Sequence, residues 1–256
     1  MNSPTYRAKL PSGFETKAEA NQRRRNLVRI LKKGNRAERR LAKKLRHCRE
    51  GVRCQSAACP VCIGAFRVDL LREGEFVLEG FNEWVRASII PAGFSLPFGN
   101  LDELDLLAMA RAVRKRLERH FHDVRVVIAG IDISLNTINN EAQIWQPHLY
   151  LLMQSKASDH LRGRLKIVFP GEPTAHRPHV VTALYSFRKP LTYVFKSEFS
   201  RRSNYLAHGK RQVATQPLKN SELRELTVAL DRFPLGARLI LKGVRRTSGN
   251  PMRLLL

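Results

Sequence analysis

The chain has 256 residues, 43% of them hydrophobic and 27% charged, an ordinary composition for a globular protein with a buried core. Lys and Arg number 46 against 22 Asp and Glu, a formal net charge of +24; self-repulsion of that size opposes compaction and points to a polyanionic partner, nucleic acid ahead of a membrane surface or an acidic protein. No stretch approaches the ~20 apolar residues that span a bilayer, and Met1–Leu10 lacks the apolar core of a secretory signal, so the chain is expected in the cytoplasm with no membrane partner.

Residues 1–46 read as a basic helical arm. Within 17–46 the run QRRRNLVRILKKGNRAERRLAKKLR sets Leu27, Ile30, Leu31, Leu41 and Leu45 at near-helical spacing, with cations elsewhere and a break near Gly34. This is either a solvated helix face packed on the domain or an arm lying along phosphates. In the second reading Arg23, Arg24, Arg25, Arg29, Lys32, Lys33, Arg39, Arg40, Lys43 and Lys44 make the contacts. The cysteines occupy 47–66, and a helical stretch runs from about Phe66 to Trp84. Val85–Ile90 reads as a short strand ended by Pro91 and Gly93. Leu101–Phe121 is predicted to be a long helix, with Leu106, Ala110, Val113, Leu117 and Phe121 in one stripe.

Val124–Asn136 is apolar and β-branched, hence a buried strand. The turn-rich NTINNE leads into a second strand, Ile144–Met153, and the two predict a hairpin. Leu165–Phe169 and Val180–Tyr185 are further strand candidates. Pro190 opens a helix that continues to about Phe199. A polar basic loop, Ser200–Pro217, then precedes a helix over Ser221–Arg232, and RLILKGVRRTSGN reads as a strand and a basic loop. This order predicts an α+β fold with one layer of antiparallel sheet flanked by helices. Residues 67–200 form its body and 201–256 a basic C-terminal extension.

All four cysteines, Cys48, Cys54, Cys59 and Cys62, lie within fifteen residues. In a reducing compartment they are free thiols or a metal site. The spacing C-x5-C-x4-C-x2-C, with the last pair in the tight knuckle ACPVC, suits a closed tetrahedral zinc with four sulfurs, a structural rather than catalytic centre. His47 is a possible substitute ligand, although four cysteines already complete the count.

On the strand IWQPHLYLLM, Gln146, His148 and Tyr150 share one face, while Trp145, Leu149 and Leu151 face the core. The preceding strand VVIAGIDISLN carries one carboxylate, Asp132, which is costly there unless paired or bound to a metal. In a hairpin Asp132 could stand beside His148. Carboxylate, imidazole and the Gln146 amide oxygen suit Mg2+ or Mn2+ with positions left for a phosphate; the plainer reading is a hydrogen-bonded structural histidine. In KPLTYVFKSEF, Tyr193 and Lys196 are three apart on one predicted helix face. A phenol is a weak nucleophile at its usual pKa of ~10. A metal that draws charge from the scissile phosphate, with a lysine near the tyrosine, would make attack feasible; the plainer reading is a tyrosine on an amphipathic helix.

The order of cysteine knuckle, apolar strand, acidic strand, W-x-P-H strand and Y-x-x-K helix resembles the HUH-endonuclease replication initiators of small rolling-circle plasmids. ACPVC corresponds to their CPxC knuckle, GIDISLN and WQPHLYLLM to their metal-binding strands, and LTYVFK to their nicking helix, over roughly residues 48–200. The resemblance implies a central antiparallel sheet of the HUH, ferredoxin-like kind. It also implies cleavage of one DNA strand, single-stranded or in an origin hairpin, by a tyrosine that becomes a 5′-phosphotyrosine. By position Tyr193 would be the nucleophile, Lys196 its phosphate-positioning partner, and Asp132, His148 and Gln146 the ligands of Mg2+ or Mn2+. The departures are plain. The family's H-P-H-x-H run reads Gln146-Pro147-His148-Leu149-Tyr150, which keeps one histidine, and the acidic position is Asp132 in place of the usual glutamate. Reduced metal affinity, or loss of the metal, follows. Three functions stay open: a strand-nicking initiator, a catalytically inactive DNA-binding regulator, and a zinc-containing RNA-binding protein.

Overall fold

The computed structural model describes residues 14–138, 142–175, 177–207, 210–246 and 252–255; residues 1–13 of the expected arm and the tip of the NTINNE turn lie outside them. Three helices open the chain. α1 (Lys17–Leu31) and α2 (Arg36–Arg46) each begin with a capping box, Thr16 with Glu19 and Asn35 with Glu38, so that side chains satisfy the orphan N–H groups at both starts. Gly34 falls in the turn between them. α3 (Pro60–Leu78) starts with proline at its first position and runs earlier than the sequence suggests, because Trp84 already belongs to β1 (Trp84–Ile89).

After β1 come the short β2 (Leu96–Pro97), a single 3-10 turn at Leu101–Glu103, and α4 (Leu106–His120). Asp105 caps α4 through its side chain, and Leu106, Met109, Val113 and Leu117 are buried along it; burial of each such side chain contributes roughly 1.5–3 kcal/mol. β3 (Val127–Ile138) and β4 (Ala142–Gln154) form the expected hairpin. Next follow α5 (Asp159–Val168), β5 (His179–Leu184), α6 (Arg188–Val194), β6 (Ser200–Ala207), β7 (Lys210–Pro217) and α7 (Asn220–Asp231). β8 (Leu239–Lys242), β9 (Val244–Arg245) and β10 (Arg253–Leu254) complete the order.

The protein is α+β, and three expectations need correction. The sheet is mixed rather than antiparallel, since β3 pairs β6 in parallel at Leu135–Arg201, Asn136–Arg202 and Thr137–Ser203. Leu165–Phe169 ends a helix instead of forming a strand: Ser158 caps α5 and buries Leu161 and Leu165 four residues apart, a helical period that a short apolar run conceals. Ser200–Pro217 is a hairpin instead of a loop, with cross-strand hydrogen bonds supplying what its polar sequence does not advertise.

The strand order is β5-β1-β4-β3-β6-β7, with β2 also on β4 and β8 also on β3. β1 covers β4 over 149–154 and β2 covers it at 144–145. Pro147, which has no N–H to give, falls in the interval between these partners. Side-chain alternation divides β3 and β4 into two faces. Ile131, Ile133, Leu135, Trp145, Leu149 and Leu151 enter the main core with α4 and α5. Ile128 and Leu152 enter a second core, shared with α3 and α6. Beyond that second core, the same face carries Asp132, Ser134, Asn136, Gln146 and His148, all buried.

Candidate active site and metal centre

The four-cysteine cluster is assembled by three pieces of local geometry. Cys48 follows the last turn of α2, a tight turn reverses the chain at Arg49–Val52 with Gly51 at φ 85°, and Cys59 is the N-cap of α3. Cys62 then lies one turn into that helix. The four sulfurs lie within 4.8 Å of one another, and Cys62 Sγ is 3.5 Å from Cys48 and 3.6 Å from Cys54. A tetrahedron with Zn–S bonds of ~2.3 Å has S–S edges near 4 Å. The cluster is therefore positioned to hold a metal ion, and its all-sulfur donor set is that of a closed zinc site. Hydrogen bonds from Cys54 and Cys59 push the Cys62 thiol well below the ordinary thiol range, which favours a thiolate in the cluster. His47 is not a fifth candidate: it is exposed and its Nδ1 bonds the Lys43 carbonyl at 2.8 Å.

On the sheet, Asp132 faces His148 and Ser134 faces Gln146 across the β3–β4 ladder. The two strands thus bring together the three residues that the sequence marks. Tyr150, next along that face, stacks on Tyr193 with ring centroids 6.3 Å apart. α6 is shorter than expected and ends at Val194. Phe195 leaves helical geometry at φ −128°, ψ 72° and turns Lys196 down onto the sheet. There its Nζ lies 2.8 Å from Asp132 Oδ2 and 6.0 Å from the Tyr193 ring centre. The carboxylate that looked isolated in the sequence is paired. Tyr193 itself remains 46% exposed.

The remaining contacts decide what this face can hold. His148 Nε2 lies 2.7 Å from Ser134 Oγ, which also accepts from Asn136 Nδ2 at 3.0 Å. Burial, with the nearby cations Arg202 and Lys196, drives the imidazole down to about 4 against a weaker opposing pull from Asp132; His148 is neutral. Gln146 Nε2 donates to Thr174, whose hydroxyl donates to the buried Glu172. Arg238, wholly buried, donates to the Ile131 and Lys196 carbonyls and stacks over Phe195 and Phe199. Desolvation lowers its guanidinium to about 10, still charged at neutral pH.

These donors do not fit Mg2+ or Mn2+. Such ions need several oxygens in near-octahedral array. Asp132 Oδ2 is held by an ammonium, His148 Nε2 is engaged by a hydroxyl in either tautomer, and Tyr150 offers only a phenol whose ionisation burial opposes. Asp132 Oδ1, buried and without a hydrogen-bond partner, and the Gln146 amide oxygen are left over, and two oxygens with no second carboxylate fall short of the near-octahedral oxygen set these ions take.

A cavity of about 570 Å3 opens beside this face, lined by the cations Arg23, Arg67, Lys189 and Lys196, the carboxylates Glu15, Glu19 and Glu198, and Tyr193 among others. Arg23 does not point at solvent as a phosphate contact would. It is 2.5 Å from Glu15 and also bonds Ser197. Arg24 donates to the Leu45 and Arg46 carbonyls, Arg39 to Gly34 and Lys44 to Asp231, so these expected contacts hold helices in place. Arg25 bonds Gln22 but stays exposed, as do Arg29, Lys32, Lys33, Arg40 and Lys43. Sequence reading missed Ser134 and Asn136, although the period-two polar run Asp132-Ser134-Asn136 in an apolar strand was a usable signal. It also missed Arg202, Arg238 and Glu172, for which no local pattern exists.

The class defined by these observations is an α+β protein with a four-cysteine cluster positioned to hold a metal ion and a lysine- and tyrosine-bearing site on one sheet face. No protein-family model, curated protein or solved structure matches the chain. Among the described residues no helix is long and apolar enough to cross a membrane.

Proposed function

We propose that the protein binds single-stranded DNA and cuts one strand through Tyr193, in the manner of a rolling-circle replication initiator, with the cysteine cluster holding a structural zinc. The observation that carries this reading is the convergence of a half-exposed phenol, an ammonium and the Asp132–His148 pair on one face of a +24 chain. The Tyr193 oxygen forms a bond to phosphorus as the bond to the 3′-oxygen breaks. The phenolic proton passes to solvent, the 3′-oxygen takes a proton to become a free hydroxyl, and the strand stays attached as a 5′-phosphotyrosine. Rejoining is the reverse.

The test is incubation of the protein with single-stranded DNA carrying candidate origins, with and without Mn2+, followed by denaturing electrophoresis. A covalent adduct that Tyr193→Phe abolishes is expected; an adduct that survives Tyr193→Phe overturns the assignment. A second reading, a DNA-binding regulator that never cuts, is favoured by one observation, the Lys196–Asp132 ion pair standing where a catalytic ion would bind. It predicts binding without an adduct under every condition. Competition by structured RNA that exceeds single-stranded DNA would replace both with an RNA-binding role.

A further inference from the structure

The residues that disfavour a divalent ion suit an anion. Lys196 touches Asp132, the wholly buried Arg238 lies within electrostatic reach of it, and Arg202 pairs in register with Asn136 on the same face. The adjoining cavity also carries Glu15, Glu19 and Glu198, but Arg23 pairs with Glu15 and Glu198 and Thr16 holds Glu19, so Lys196 and Lys189 are not neutralised by them. An ammonium has three N–H donors, and Asp132 takes one. The Lys196 side chain is 30% exposed and lines the cavity that Tyr193 also lines. Lys189, exposed and one helical turn before Tyr193 on α6, lines it too. A phosphate seated beside the phenol would meet donors from both lysines.

We propose that this face is a phosphodiester site whose positive charge is built into the protein, supplied by Lys196 and Lys189, in place of Mg2+ or Mn2+. Asp132 then orients the ammonium and does not bind metal. The identity of the anion as a DNA phosphodiester rests on the strand-cutting reading above. The substitution of resident cations for a divalent ion rests on the contacts alone.

Two measurements on the zinc-loaded full chain test it. Mn2+ is titrated in and followed by the paramagnetic resonance of the free ion. No site tighter than millimolar is expected in the wild type, and Lys196→Met, which uncovers Asp132, is expected to tighten Mn2+ binding. A wild-type site of micromolar affinity that Asp132→Asn removes overturns the proposal. In parallel, fluorescein-labelled dT20 is bound with and without Mn2+. Equal affinity is expected, with a loss of about tenfold in Lys196→Met, the size of a lost charged hydrogen bond. The double variant Asp132→Asn/Lys196→Met removes both partners of the ion pair and should lose as much, and the exposed Lys189→Met should also weaken binding. Binding that needs Mn2+, or that none of these variants changes, overturns the proposal. Absence of a Tyr193 adduct with both measurements as expected would overturn the cutting reading alone.

Discussion

Gly130 lies so tightly against Val194 that a Cβ built on it would collide with the Val194 carbonyl oxygen. This approach seats the last residue of α6 on β3 and sets where the chain turns to deliver Lys196 to Asp132. Gly130→Ala should therefore cost ~1–3 kcal/mol or more, as overpacking does, and should weaken dT20 binding beyond what the stability loss explains. Urea denaturation and anisotropy at a temperature where the variant is fully folded separate the two effects. Unchanged binding would mean that Lys196 does not depend on this approach.

Arg238 is the second device that holds this turn, through the Ile131 and Lys196 carbonyls. Removing it by Arg238→Met leaves the Ile131 and Lys196 carbonyls without that donor, and a buried acceptor left unsatisfied typically costs ~1–3 kcal/mol. Denaturant midpoints should show it. A loss under ~1 kcal/mol would indicate that relaxation or water replaces the guanidinium easily.

His148 gives a pH signature. Its folded value of about 4 lies below the ordinary 6.5 because burial and neighbouring cations disfavour the charged ring. A depressed value means that the unfolded chain binds the proton first. The contribution is complete above pH 6.5, falls as pH drops toward 4, and is flat below that. The wild type should lose up to about 3 kcal/mol more than His148→Asn between pH 7 and pH 4, measured by urea denaturation across that range. Parallel curves for the two proteins would contradict a buried neutral imidazole.

Removal of metal from the cysteine cluster should release about one zinc per chain and cost on the order of 5 kcal/mol or more, with a fall in Tm of ~10 °C or more. Elemental analysis and circular dichroism of wild type and Cys62→Ser check this. Equal melting of the metal-free and metal-loaded forms would make the cluster a set of packed thiols.

The basic helices divide into two groups with different expected effects. Alanine at the exposed Arg29, Lys32, Lys33, Arg40 and Lys43 should reduce the salt dependence of dT20 binding by ~0.7 in slope for each phosphate no longer neutralised, with little change in stability. Alanine at Arg24 or Lys44 should do the opposite, because those side chains bind protein groups. Salt titrations and melting curves on the same variants distinguish them.

The sequence carried the cysteine cluster and the β3–β4 pairing because both are local. The knuckle is fixed by four spacings, and a hairpin's register follows from its turn and its alternation of apolar and polar residues. Asp132 opposite His148 followed from that alone. What stayed illegible depends on distant chain or on ambiguous periods. Leu165 and Phe169 fit a strand until Ser158 and Leu161 are read with them. β6 lacks an apolar face of its own and pairs in parallel with β3, more than sixty residues earlier. The inward turn of Lys196 is set by Phe195 leaving the helix, by Gly130 and by Arg238, three positions with no shared motif.

Ser56 and Asp231 are 175 residues apart and hydrogen-bonded, Lys44 reaches the same carboxylate, and Ser56 also bridges to Pro234. A ribosome finishes the cysteine loop long before it makes the helix that backs it. Until then Leu41 and Leu45 lack Leu226, Leu230 and Phe233, with which they share one apolar cluster in the finished protein. The emerging chain must carry this surface exposed until α7 has been made, and synthesis interrupted before α7 would leave a sticky cationic fragment in need of chaperones or proteolysis.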